Sequence, residues 1–324
     1  MRIWITTLIL VAAGLGATEA FWRSQGHRPS VVDDPDLWAY HRARVYGNSV
    51  VLLGASRIQV GFDTDLFRSE FPNYRLVQLA FAGEHPLATL RDLAGDENFH
   101  GVVICAIVPV GFLEELRDDQ QEFVDYYHRG MTLNSVLNRH IATFLQEHLV
   151  VVNPSVNLLR IAELLLRHHE VPEPYHVVAH RDRSRSADFS RADVAALRGR
   201  RAANSRKALE HPPSISPEAW LAQVRQIEPW VRRIQKRGGQ VVFVRFPTTG
   251  VFLQAQEHGF PRRECWDRLA AATGAVTIHF QDVPGMSGFD CPELSHLDYR
   301  DAPRFTQALL DELVRRGMLR RRHR

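Results

Sequence analysis

Two short stretches near opposite ends of the chain carry residue types that could do nucleophilic chemistry. The first is Val50-Val-Leu-Leu-Gly-Ala-Ser56-Arg57. An apolar run of this kind reads as a buried strand, and it ends in two small residues and a serine. Such a serine sits at the carboxyl end of the strand, where open α/β sheets bind their ligands. The second stretch is Phe289-Asp-Cys-Pro-Glu293-Leu-Ser-His296-Leu-Asp298, followed by a terminal helical pattern. A loop after the last strand returns to the same edge, so His296 could take the proton from Ser56 Oγ and later give it to a leaving group, the task a near-neutral imidazole suits. Glu293, three residues earlier, could accept a bond from Nδ1 and fix the ring's tautomer. A Gly-x-Ser turn alone is usually only a turn, and a lone loop histidine is usually a surface residue. The combination and its order along the chain point to nucleophilic catalysis.

Other candidates fade. His168 and His169 are adjacent, about 100° apart on a helix, and cannot converge on one ion; there is no HExxH, no CxxC and no glycine-rich phosphate loop. No metal and no cofactor are expected. Cys105 falls inside an apolar run and reads as core. Cys265 and Cys291 could form a disulfide in an oxidising compartment, and two buried thiols fit equally well. Trp220 and Trp230 could stack on sugar rings, but large aromatics on a helix more often pack it onto a core.

The chain has 324 residues, 45% hydrophobic and 24% charged, enough for one large α/β domain or two smaller ones. Forty basic against 37 acidic residues leave a formal charge of +3, which gives no reason to expect a nucleic-acid partner. Residues 49–54, 74–80 and 101–108 read as strands, with helices near 63–71 and 86–94. The pattern resumes with strands at 240–246 and 275–280, a helix over 262–273 between them, and a closing helix from Ala302 to about Arg316. Apolar runs unbroken by polar residues mark a parallel sheet covered on both faces, so five strands and their crossovers make one doubly wound α/β layer. About 120 residues between the third and fourth strands, roughly 119–238, show helical periodicity, including 157–168 and 218–236, and read as a helical insertion. Its arginine-rich stretch Arg181–Lys207 could dock an anionic polymer, but its composition is that of a solvated helix face; the tail Arg320–Arg324 is similar.

From Ile3 to Ala17 the chain carries no charge; Arg2 precedes this run and Glu19 and Arg23 follow it. This reads as a signal peptide or a signal anchor over residues 1–22. Ala17-Thr-Glu-Ala20 is a poor cleavage site, which favours an uncleaved, single-pass anchor with Arg2 held in the cytoplasm. The remainder is then expected outside the cytoplasmic membrane: a polar connector at 23–47 docking through Trp38 and Tyr40, and a domain over 48–324.

Ser56 in Gly-Ala-Ser-Arg, Leu79-Ala-Phe-Ala-Gly83 after the second strand and Glu293-x-x-His296-Leu before a terminal helix resemble the sequence blocks of SGNH (GDSL-like) hydrolases. With the amino-terminal anchor, the order resembles the membrane-tethered SGNH-like proteins of bacterial envelope polymer acylation, such as alginate acetylation and teichoic-acid D-alanylation. The resemblance covers about 150 residues, 48–110 and 240–318, and leaves the insertion outside. It implies a flavodoxin-like three-layer fold, Ser56 as nucleophile, His296 as base and an oxyanion hole from the backbone amides of Ser56 and Gly83. An esterase or O-acyltransferase acting on acyl groups of an envelope polysaccharide follows, with an acyl ester as substrate and a membrane-bound acyl donor protein as a partner. Three departures stand out. The acid before the histidine is Glu293 where the family has Asp, leaving Asp290 and Asp298 as alternatives. The asparagine the family places after the third strand has no counterpart in Ile107-Val-Pro-Val-Gly111, so Arg57 could substitute as a donor. Gln78-Leu-Ala stands where Asn-Leu is commoner. These departures also allow an inactive SGNH-fold scaffold in an envelope assembly complex.

Overall fold

The computed structural model describes residues 2–156, 166 and 173–321. Five strands form one parallel sheet: β1 (Val50–Leu53), β2 (Leu76–Gln78), β3 (Val102–Ala106), β6 (Gln240–Arg245) and β7 (Val276–His279), in the order β2-β1-β3-β6-β7. A separate antiparallel hairpin, β4 (Val177–Ala179) and β5 (Arg185–Ala187), lies between β3 and β6 in the chain. The order reverses at β1, between β2 and β3, which opens a crevice at the carboxyl ends of the central strands.

Alternation along the strands divides the core into two layers. Val51, Leu53, Val103, Cys105, Val241 and Phe243 face one side, and Val50, Leu52, Ile104, Val242, Val244 and Ile278 the other. The first layer is closed by α2 (Pro35–Arg42), α5 (Leu87–Gly95), α6 (Gln121–Arg129) and two helices at Pro217–Arg225 and Glu228–Lys236. The second is closed by α3 (Ser56–Gly61), α4 (Thr64–Glu70) and the terminal helix α13 (Ala302–Arg315). Trp38 of α2 is fully buried and donates from Nε1 to Leu79 O at 2.9 Å. The segment read as a connector therefore supplies part of the core.

Several expected elements differ in detail. The helix expected over 262–273 is only α12 (Leu269–Thr273); the main helix after β6 is α11 (Gly250–Gly259). Gly250 at its start, with φ +58, hid it from a propensity reading, and it ends at Gly259 with Phe260 as its cap and Pro261 just beyond. The helix expected over 218–236 is two, α9 (Pro217–Arg225) and α10 (Glu228–Lys236), because Pro229 removes a backbone donor at the join. The insertion also holds α7 (Leu133–His148) and α8 (Val194–Glu210). The expected helix at 157–168 lies, apart from residue 166, outside the described residues, as do His168 and His169.

The hairpin corrects the reading of Arg181–Lys207 as one solvated helix face. Arg183, at the β4–β5 turn with φ +68, is fully buried. Its Nε donates to Asp33 Oδ1 at 2.7 Å, and Nη1 and Nη2 donate to Gln78 O and Ala80 O at 2.9 and 3.0 Å. Gln59 Nε2 reaches the same Ala80 carbonyl at 3.0 Å and Asp33 Oδ2 at 2.9 Å. Burial alone would raise the Asp33 carboxyl, but the adjacent Arg183 and Arg185 guanidiniums hold it below the usual carboxylate range. The insertion is thus fastened to the backbone that leaves β2.

Removing one member of a buried pair strands the other, at a cost of about 3–5 kcal/mol. Arg183→Met is expected to lower stability by about that amount, and Asp33→Asn by a comparable amount, read as chemical-denaturation midpoints of the detergent-solubilised protein.

Candidate active site

Ser56 is the first residue of α3, one residue past the turn that leaves β1. That turn needs Gly54: its φ is +142, and a Cβ there would lie 2.6 Å from Ala106 O and 2.9 Å from Ile58 Cγ2. The chain leaving β2 continues the parallel ladder, with Leu79 N donating to Leu52 O and Phe81 N to Gly54 O at 2.9 and 3.1 Å. Gly83 follows in the same loop with φ +91, so the two segments read as oxyanion donors are tied together by the carbonyl of Gly54.

The third segment, residues 291–298, arrives from beyond β7. Thr249 N donates to Leu294 O at 3.0 Å, and Leu294 itself takes φ +76. On its other side Asp298 Oδ2 accepts from Phe189 N, and Tyr299 N donates to Ala187 O, at 3.0 and 2.9 Å. The loop is therefore clamped between the residues after β6 and the β5 end of the insertion.

Held this way, His296 Nε2 lies 2.7 Å from Ser56 Oγ and Nδ1 lies 2.7 Å from Glu293 Oε1. The same carboxylate oxygen accepts from the backbone N–H of His296 and Ser295 at 2.6 and 3.2 Å. Glu293 is 4% exposed, so its extra methylene is taken up inside the loop. With a carboxylate at Nδ1, Nε2 is the acceptor for the serine proton. Asp290 and Asp298 are placed elsewhere: Asp290 lies exposed, 3.8 Å from Arg198, and Asp298 pairs with Arg300 at 2.6 Å.

Arginines surround this chain of bonds. Arg201, on α8, lies with Nε 2.5 Å from Glu293 Oε2. Arg57 donates from Nη2 to Ser295 Oγ at 3.0 Å, and both guanidiniums lie 5.4 Å from the Phe252 ring centroid. Burial first, then the charge of Arg201, bring Arg57 down to about 10; burial and Arg57 bring Arg245 down to about 9. No acid within 4.0 Å of Arg57 occurs among the described residues. Burial would raise Glu293, but its bond to His296 and the charges of His296 and Arg201 leave it lowered. Burial lowers His296; the Glu293 bond opposes this without cancelling it, and Arg57 and Arg201 push the same way as burial. The imidazole is therefore neutral, ready to accept a proton, at near-neutral pH.

A cavity of about 620 Å³ opens beside the acid, walled by Val108, Pro109, Arg201, Asn204, Phe252 and Glu293. The larger cleft, about 1580 Å³, includes none of Ser56, His296 or Glu293. After β3 the chain offers Ile107, Val108 and Pro109, with no side-chain donor where an asparagine was looked for. Arg201 was missed by sequence reasoning. It is one of many arginines in α8, and nothing local distinguishes it. Cys105, Cys265 and Cys291 are free and buried. Burial pushes the Cys265 thiol up to about 11 and the Cys291 thiol up to about 12, and Cys105 higher still, so none is poised as a nucleophile. Trp220 is fully buried and donates to Pro109 O at 2.8 Å, a packing residue rather than a sugar platform. No cluster of three metal-ligating side chains occurs among the described residues.

No family model matches the sequence, and no curated protein matches it. Among solved structures, the crystal structure of TesA matches with a TM-score of 0.39 and 12% identity, over 84% of this chain and 100% of that one. Likeness at that level leaves the site to be judged on its own geometry.

Because His296 is held below the usual imidazole range, and a serine proton needs a neutral acceptor, labelling of Ser56 by a fluorophosphonate is expected to persist as pH falls past 6.5 and to fail only below it, read as the acid limb of the labelling rate. Arg201→Met removes a cation that lowers both His296 and Glu293, so it is expected to move that limb upward. Glu293→Gln, which keeps the shape but loses the charge, is expected to slow that labelling about 10²–10⁴-fold.

Proposed function

We propose that the protein is a membrane-anchored, extracytoplasmic serine esterase or O-acyltransferase acting on O-acyl groups of an envelope polysaccharide, with Ser56, His296 and Glu293 as its triad. The observation that carries this reading is the continuous bond chain from Ser56 Oγ through both ring nitrogens of His296 to a buried carboxylate. In this mechanism Ser56 Oγ attacks the acyl carbonyl as its proton passes to His296 Nε2. The tetrahedral oxyanion is held by the amides of Ser56 and Gly83, with Arg57 beside Ser56 in place of an asparagine donor. Collapse breaks the ester C–O bond, and His296 returns the proton to the departing hydroxyl. A water, or an acceptor sugar hydroxyl, then attacks the acyl-serine with His296 again as base, and Ser56 is restored. The Arg57 and Arg201 guanidiniums, which push the imidazole toward its neutral form, would also favour the oxyanion.

The helix α1 (Arg2–Ser24), long and apolar enough to cross a membrane, supports the anchored placement. A second reading, a non-catalytic scaffold of envelope assembly, is favoured by two observations: no side-chain donor follows β3, and Arg57 already bonds Ser295.

Intact mass after incubation of the detergent-solubilised protein with a fluorophosphonate separates the two. One adduct on the wild type is expected, none on Ser56→Ala, and labelling slowed about 10³-fold or more on His296→Ala. A folded wild type that takes no adduct supports the scaffold.

A further inference from the structure

We propose that helix α7 is a second membrane contact, lying in the headgroup region of the same bilayer that α1 crosses, with its apolar stripe turned to the lipid. The inference rests on the anchored reading of α1.

The polarity of α7 is inverted for a helix on a water-soluble surface. At 100° per residue, Leu133, Leu137, Ile141 and Phe144 fall within an arc of about 80°, and Leu145 extends it. All five are exposed, Leu133 at 90%, Leu137 at 62% and Phe144 at 61%. The opposite face is buried and polar. Arg139, at 5% exposure, bonds Asp34 Oδ2, Thr143 Oγ1 and Gln146 Oε1 at 2.6, 3.0 and 2.6 Å, and Gln146 Oε1 also accepts from Val32 N at 3.0 Å. Hydrogen bonds therefore staple the polar side of α7 to the domain and hold its apolar side outward. Contiguous exposed apolar surface of this kind marks an interaction site.

What covers it is indicated by where α7 ends. Arg23 Nη2, in the last turn of α1, donates to His148 O, the last residue of α7, at 2.7 Å. Both carboxylate oxygens of Glu19 accept from the amides of Val150 and Val151, just beyond α7, at 3.0 Å. Trp22 is buried with Val150 and Val156. The carboxyl end of α7 is thus fixed to α1 at Glu19–Arg23, the first charges after the apolar run and so the level at which α1 leaves hydrocarbon. Ile141 and Phe144 also wall the large cleft, whose lining includes Tyr40, Arg44, Tyr46 and Arg75. Arg44 and Arg75 lie over the Tyr40 and Tyr46 rings at 5.2 and 4.5 Å. Tyrosine and arginine are side chains suited to the headgroup level, where a ring meets acyl chains and a guanidinium meets phosphate. An interfacial helix sinks about 5–10 Å, the depth of one apolar face.

The test places single cysteines in the full chain, labelled with an environment-sensitive nitrobenzoxadiazole dye and reconstituted in phosphatidylcholine vesicles. The three native thiols are buried, and the unsubstituted protein measures any background from them. Leu137→Cys and Ile141→Cys report on α7, Leu10→Cys on α1, and Glu218→Cys, on the exposed side of α9, on water. Quenching of the 137 and 141 labels at least two-fold by lipid carrying a nitroxide at acyl carbon 5, and more weakly at carbon 12, with Leu10 quenched best at carbon 12 and Glu218 by neither, is the expected result. If Leu10 is quenched while 137 and 141 match Glu218, α7 faces water and the proposal fails while the anchor stands. A blue-shifted but unquenched α7 label means that protein, another copy included, covers the stripe, and equally overturns it. If Leu10 is unquenched, the anchored reading fails and this one with it.

Discussion

The parallel pairing of β1 with its two neighbours is the constraint on which the rest depends. Because β2, β1 and β3 run the same way in register, the segments that follow them leave at one edge, and Gly54 can lie against Ala106 O only because it lacks a side chain. That close approach starts α3 at Ser56, and the carbonyl of Gly54 then accepts from Phe81 on the neighbouring segment. A backbone contact between two loops thus fixes both the serine and the glycine loop beside it.

Charge distribution supplies the second organising force. Arginines are buried at several levels: Arg42 against Asp92 and Asp96, Arg183 against Asp33 beneath the β2 loop, Arg245 near the half-buried Arg57, and Arg139 on the inner face of α7. Arg183 is fully paired and serves cohesion. Arg57 and Arg245 have no acid partner among the described residues and instead bond Ser295 Oγ and Gln256 Oε1. Glu293, the carboxylate between Arg201 and His296, converts that positive field into orientation of the imidazole. Fold and chemistry meet at α8, because the insertion delivers Arg201 from the side while its hairpin clamps the histidine loop at Ala187 and Phe189.

The amino-terminal helix follows the same logic of fastening. Glu19, Trp22 and Arg23 join α1 to the segment after α7 by charge-assisted bonds and one buried indole. The apolar helix is therefore braced against the domain and does not hang from a free tether.

The sequence by itself determined the five strands, their parallel pairing and the apolar helix, because unbroken Val/Leu/Ile runs have few other places to go than a sheet covered on both faces. It also singled out Ser56, His296 and Glu293, since a strand-end serine and an acid three residues before a histidine are local patterns. The Gly250–Gly259 helix was illegible because it opens on a residue of poor helix propensity, and the break at Ile227 because a helical period runs through Pro229. Tertiary structure alone decided which carboxylate meets His296, since three acids lie within a few residues and only the clamps on either side of the loop select one. It alone lifted Arg201 and Arg183 out of an arginine-rich background. A guanidinium's role is set by the acid or carbonyl it reaches across the fold, and composition along the chain carries no record of that distance.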